Sequence, residues 1–231
     1  VATAVSNIKS RQLDSSFAAC YYPWVYITDT RTAATVYLPP SVVGLGAMGR
    51  SDASTDQVWF APAGFNRGGI SKNQINLQVG GVTQQLNRDD RDELYEVDIN
   101  PIANFTQEGI VVFGQKTLLA DPSALDRINV RRMLIYVKKK VRLIANGILF
   151  DQNVEDTWNR FRNQTEDFLR GVQTNLGISE YLVKLDNTTT TADLIDQNVL
   201  YAKVYIKPAR AIEFIALDFV ITRTDADFST Y

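Results

Sequence analysis

Asp126-Arg127-Ile128-Asn129-Val130-Arg131-Arg132-Met133-Leu134 runs without a break into Ile135-Tyr136-Val137-Lys138-Lys139-Lys140-Val141, and this junction decides how the chain is read. Leu134, Val137, Val141, Ile144 and Ile148 recur at spacings of three and four, which lays one apolar stripe along a helix predicted over residues 129–147. Lys138, Lys139 and Lys140 then fall to its sides and back. Upstream, Ile110-Val111-Val112-Phe113 is a continuous apolar run of buried-strand length. Downstream, Trp158, Phe161, Thr165, Phe168, Val172 and Leu176 mark the buried face of a second helix. Asn153 is placed to cap it with Asp156 in the third position, and Gly177 to end it.

Working outward, residues 33–38 alternate as a strand does, and Pro39-Pro40 stops it. Ser41 is expected to cap a short helix. Residues 59–73 read as a Gly- and Pro-bearing loop, and residues 75–86 as a helix or an irregular turn. Strands are predicted over 180–185 and 199–206, the latter ended by Pro208, with a final strand over 212–222. The fold class is α/β (α+β): a small mixed sheet packed by two main amphipathic helices, with a terminal strand, apolar on both faces, left in need of cover.

Composition bounds the function from outside. With 231 residues, 45% of them hydrophobic and 22% charged, the chain can bury a substantial core. Its longest apolar runs are strand-sized, far short of the roughly 20 residues a membrane span needs, so no membrane insertion is expected. Val1 to Ser6 lack the charged start and apolar core of a signal peptide, and there is no initiator Met, so a segment of something longer is expected. One cysteine, Cys20, excludes an internal disulfide, and the absence of histidine removes the usual zinc sites and most nucleophile–base pairs. No metal, cofactor or catalytic residue is expected.

Six further words appear in order: Tyr21-Tyr22-Pro23-Trp24, Leu38-Pro39-Pro40-Ser41, Arg50-Ser51-Asp52, Ala61-Pro62-Ala63-Gly64, Ile99-Asn100-Pro101-Ile102 and, after Phe150, Asn153, Trp158 and Phe168-Leu169, Pro208-Ala209-Arg210. Together with Val111 to Leu118 and Asp126 to Leu134, this sequence of words resembles the contractile phage tail sheath family, large tailed myophage type. Phe113 and Lys116 stand where the family pattern has Trp and Arg. The resemblance implies that residues 1–231 are the conserved, C-terminal part of a longer sheath protein, with the N-terminal arm and outer domains absent. It implies a structural subunit, not an enzyme, that polymerises helically around a tail tube and contracts to drive the tube through the host envelope. The implied partners are identical subunits, the tail tube protein, and baseplate and tail terminator proteins. The implied place is the virion tail, assembled in the host cytoplasm. The sheath of a bacterial contractile injection system or bacteriocin particle is the alternative.

Three surfaces carry that function in outline. Between Arg127 and Arg142 lie seven basic residues and no acidic one, while Asp89, Asp90, Asp92, Glu93, Glu96 and Asp98 form an acidic counterpart. Arg131, Arg132, Lys138, Lys139 and Lys140 are the candidate basic surface between subunits. Phe214, Ile215, Leu217, Phe219, Val220 and Ile221 are the candidate strand between subunits, because a terminal strand apolar on both faces needs cover. Arg160, Arg162 and Arg170, off the apolar stripe of their helix, are the tube-facing candidates that the resemblance implies.

Competing chemistry is weaker. Gly44-Leu45-Gly46-Ala47-Met48-Gly49 spells a dinucleotide fingerprint, but that mechanism needs a strand directly before it and a helix opening at its end. Pro39-Pro40 interrupts the strand. Asp89-Asp90 and the Asp225/Asp227 pair lie in polar stretches with no apolar pocket to shift a carboxylate. The basic helix has one aromatic, Tyr136, and the chain carries a net charge of −2, so nucleic acid is not an expected partner.

Overall fold

The computed structural model describes residues 1–29, 31–70 and 79–216. In order, the elements are α1 (Ala2–Arg11), β1 (Cys20–Tyr22), β2 (Val25–Thr28), β3 (Thr35–Leu38), α2 (Pro40–Thr55), α3 (Gly64–Arg67), β4 (Val79–Val82) and α4 (Arg88–Glu96). There follow β5 (Ile99–Phe105), β6 (Gly109–Val112), a 3₁₀ turn (Ala124–Asp126), α5 (Ile128–Asn146), α6 (Glu155–Thr174), β7 (Ile178–Lys184), α7 (Ala192–Asp196) and β8 (Lys203–Pro208). This is the mixed α+β architecture expected, with small sheets and two long amphipathic helices.

The sheet is three small sheets. β1 runs parallel to β5, with Tyr21 opposite Asn100, and β5 pairs antiparallel with β6, with Ile102 opposite Val112. β2 is flanked by β3 and β4, both antiparallel. β7 and β8 form a separate antiparallel pair. Val25, Val43, Ala47, Ile70, Ile102 and Val112 close one core between the first two sheets and α2. Val130, Met133, Val137, Leu169, Val172, Ile178 and Val183 close a second, in which α5 and α6 lie on one face of β7–β8. Asn100, fully buried, ties the central strand to its surroundings. Its amide donates to the carbonyls of Cys20 (3.0 Å) and Lys116 (2.8 Å), and its Oδ1 accepts from Lys116 N–H (2.6 Å).

The strand predicted over 33–38 is β3, and the run at Ile110 is β6. α2, expected as a short helix capped by Ser41, has 16 residues, with Pro39 at the N-cap and Pro40 in its first turn, where a missing N–H costs nothing. Gly44, Gly46 and Gly49 therefore lie inside a helix instead of at a strand-to-helix turn, which removes the basis for phosphate binding. Gly44 faces Tyr21: a Cβ there comes within 2.9 Å of the tyrosine ring, so the absent side chain is what lets α2 meet β1.

Other expectations are corrected. Within residues 75–86, Val79–Val82 is strand β4, not helix, and residues 71–78 lie outside the described residues. Asn153 does not cap α6. Its Oδ1 accepts from Trp158 Nε1 (2.7 Å) and its amide donates to Val199 O (3.3 Å), so Val154 takes the cap position without a side-chain bond. Leu176 is exposed instead of lying on the buried face, and the helix closes on Leu176 itself, at φ +63°, instead of on Gly177. The strand predicted over 199–206 begins only at Lys203. Residues 212–216 form no strand, and residues 217–222 lie outside the described residues.

Candidate assembly surfaces

α5 sets the basic surface. Val130, Met133 and Val137 turn its buried face to the second core, and Lys138, Lys139 and Lys140 are all exposed, spread around the sides and back of the helix. Lys140 Nζ stands 5.7 Å from the centre of the Tyr136 ring. Arg131 and Arg132 behave differently. Arg131 bonds Ser16 Oγ and lies 4.1 Å over the Phe17 ring, while Arg132 Nη2 reaches Asp52 Oδ2 on α2 at 2.5 Å. Both guanidinium groups are thus engaged within the subunit. The exposed basic surface is Lys138 to Lys140, continued by Arg142.

The acidic counterpart is α4. Asn87 and Asp90 form a reciprocal cap: Asn87 Oδ1 accepts from Asp90 N–H (2.8 Å) and Asp90 Oδ2 from Asn87 N–H (3.0 Å). Leu94 is the helix's one buried residue, and Asp89, Asp92, Glu93 and Glu96 are exposed. Asp98 is held by Lys116 at 3.1 Å.

Arg160 and Arg170 are exposed on α6, and Arg162 is partly so. Each has a local partner: Arg160 bonds Asp151, Arg162 donates to Asn159 Oδ1 (2.6 Å), and Arg170 meets Asp167 at 3.1 Å. Exposed pairs of this kind contribute little to stability, of order 0–1 kcal/mol, and leave the side chains free to exchange partners.

β7–β8 has the form of an incomplete sheet. Among the described residues neither strand has a second neighbour, so each offers an unpaired edge. Val183, Val204 and Ile206 face the helices, while Leu182, Lys203, Tyr205 and Lys207 face solvent. From β8 the chain continues as residues 209–216. Ala209 N–H still reaches Gly177 O (3.2 Å). Phe214 and Ile215, the described part of the expected exchange strand, are exposed, and Leu217, Phe219, Val220 and Ile221 lie outside the described residues.

Two features gave no signal in the sequence. Leu143, Leu149, Phe150 and Val154 are exposed where α5 passes into α6. Glu213, one residue before Phe214, is gripped by Arg127 Nε (2.7 Å), Tyr95 Oη (2.9 Å) and Gln115 Nε2 (3.1 Å). Burial, followed by the negative charge and hydrogen bond of Glu213, pushes the Tyr95 hydroxyl well above the ordinary tyrosine range. At Arg127 burial works against the charge, but Glu213 outweighs it, and the guanidinium titrates above its usual value.

The family described as the phage tail sheath C-terminal domain matches residues 120–222. The tail sheath protein of Vibrio phage KVP40 is 41% identical over 180 residues, 77% of this chain and 26% of that protein. The tail sheath protein of Enterobacteria phage T4 is 37% identical over 216 residues, 94% of this chain and 32% of that protein. Among solved structures, the sheath complex of an extracellular contractile injection system in its contracted state superposes with a TM-score of 0.80 at 27% identity, covering 98% of this chain and 62% of that one. The helical sheath of the anti-feeding prophage, also contracted, gives 0.75 at 27% identity over 89% of this chain and 56% of that one. The chain spans about a third or less of the length of the curated relatives it matches. Over that span, the chain belongs to the phage tail sheath family.

Proposed function

We propose that this chain is the conserved C-terminal domain of a structural subunit that polymerises helically around a tail tube and contracts to drive the tube through a host envelope. The observation that carries the reading is that 98% of the chain superposes on a contracted sheath subunit while its sequence is 37–41% identical to phage tail sheath proteins. The subunit's role is mechanical, without catalysis. Its partners are identical copies, the tail tube protein, and the baseplate and tail terminator proteins, and it acts in the virion tail after assembly in the host cytoplasm.

Physics supplies the reason these surfaces suit the task. A sheath needs contacts that pass from copy to copy without closing into a pair, so donor and acceptor patches must differ. Here the exposed lysines of α5 and the exposed carboxylates of α4 are separate patches of opposite sign. The open edges of β7–β8 accept a strand, and the segment after Pro208 supplies one. Arg160, Arg162 and Arg170 are the tube-facing residues in this reading.

A sheath of a bacterial contractile injection particle is the second reading, favoured by the solved neighbours, which come from such particles at 26–27% identity. The higher identity to phage proteins favours the tail. Electron microscopy of the full-length protein expressed alone tests the shared part of both readings: long hollow tubes are expected, and a monodisperse globular species at high concentration refutes it.

A further inference from the structure

After Ala209, no backbone group of residues 210–216 is bonded to another backbone group among the described residues. The segment is held instead by one side chain. Three donors from three elements converge on Glu213: Tyr95 from α4, Gln115 from the chain after β6, and Arg127 from the cap of α5. Glu213 keeps only 16% of its side chain exposed, whereas Ile212, Phe214 and Ile215 expose 84%, 82% and 76%. Polar group in and apolar groups out is the reverse of ordinary packing. Hollows of about 350 and 370 Å³ lie beside the segment, lined in part by Ala211 to Phe214, so tight apolar packing does not hold it down.

We propose that Glu213 is a positioning residue: it pins the root of the C-terminal arm to the body, so that the apolar residues around and beyond it are presented to a neighbouring copy from a fixed point. The chemistry suits a joint that must stay attached while everything past it changes partners. A carboxylate accepting from a guanidinium, a phenol and an amide is directional, and among the described residues of the arm Ile212, Phe214 and Ile215 are exposed and not packed into the subunit's own core. The arm's destination rests on the sheath reading. The anchoring is a property of this chain alone.

Trypsin reads the anchoring. Lys207 is followed by Pro208 and resists cleavage, so the Arg210–Ala211 bond is the tryptic site at the root. Cleavage there requires residues on both sides, Glu213 included, to come off the body. In Glu213→Ala, cutting at Arg210 should accelerate at least about tenfold, the factor that corresponds to about 1.4 kcal/mol of lost attachment. Cutting within the body should stay unchanged. Tyr95→Phe, which keeps the ring and removes one donor, should give a smaller increase at the same bond. An unchanged rate at Arg210, or an equal increase at every site, overturns the proposal. The positioning role is read by electron microscopy of the full-length protein carrying Glu213→Ala: fewer or disordered tubes are expected, and normal tubes from a protein with a loosened Arg210 overturn it. A wild-type protein that forms no tubes refutes the sheath reading and the purpose of the anchor with it, while the Arg210 result still decides the anchoring.

Discussion

Gly177 is a point where a methyl group has no room. A Cβ there falls 2.7 Å from Val172 Cγ1 and 2.9 Å from Trp59 Cδ2, so the glycine lets the end of α6 turn into β7 against the indole. Gly177→Ala should therefore destabilise by about 1–3 kcal/mol, read from thermal or denaturant unfolding. Sequence reading had assigned this glycine to the left-handed helix stop, a position Leu176 fills at φ +63°. The mistake is physical in origin: a glycine signals either a positive φ or a close approach, and only the neighbours tell which. Tyr21 makes a pH-dependent prediction. Burial pushes its hydroxyl well above the ordinary tyrosine range, so the folded state holds the proton more tightly than the unfolded state. That contribution is complete below the unfolded pKa of about 10 and is lost as pH rises toward the folded value. Stability should fall above about pH 10, and Tyr21→Phe should flatten the fall while changing little at neutral pH.

At the scale of elements, α5 and α6 were legible because their apolar residues repeat at helical spacing, and β3 because Pro39-Pro40 ends an alternating run. α4 was not, since its nine residues bury one side chain, Leu94, and its start is marked by the Asn87/Asp90 cap instead of an apolar stripe. β4 was missed because Gly80 and Gly81 carry no strand propensity. They are there because the Tyr26 ring occupies the space their side chains would take, a Cβ on Gly81 falling 2.2 Å from the tyrosine oxygen. The corrected face of α6 is testable by contrast. Leu169, fully buried, should cost about 2–5 kcal/mol as Leu169→Ala. Leu176→Ala, at a 69% exposed position, should change stability by no more than about 0.5 kcal/mol.

At the scale of the whole molecule, the sequence carried the family and the polarity of the surfaces, but not which charges were already engaged. Arg131 and Arg132 looked like part of the basic face until their contacts with Phe17 and Asp52 placed them inside the subunit. The lysines remain available. Replacing Lys138, Lys139 and Lys140 with Glu should leave the thermal transition in place, because all three are exposed, and, on the proposal that they meet the acidic α4 of another copy, should block tube formation by setting like charge against like. Assembly of the wild type should weaken with added salt, since exposed charges are screened over about 8 Å at physiological ionic strength. Glu213 escaped sequence reading altogether: one carboxylate in an apolar stretch has no motif, and its meaning comes from Tyr95, Gln115 and Arg127, brought together from 86 to 118 positions away.

The central claim is that copies are joined through the C-terminal arm while the body folds without it. Electron microscopy of the full-length protein with and without residues 218–231, alongside a thermal unfolding scan of each, tests this most directly. The account predicts long hollow tubes from the intact protein and none from the truncated one, which keeps its cooperative transition. Tubes from both proteins, or loss of the transition on truncation, would contradict it.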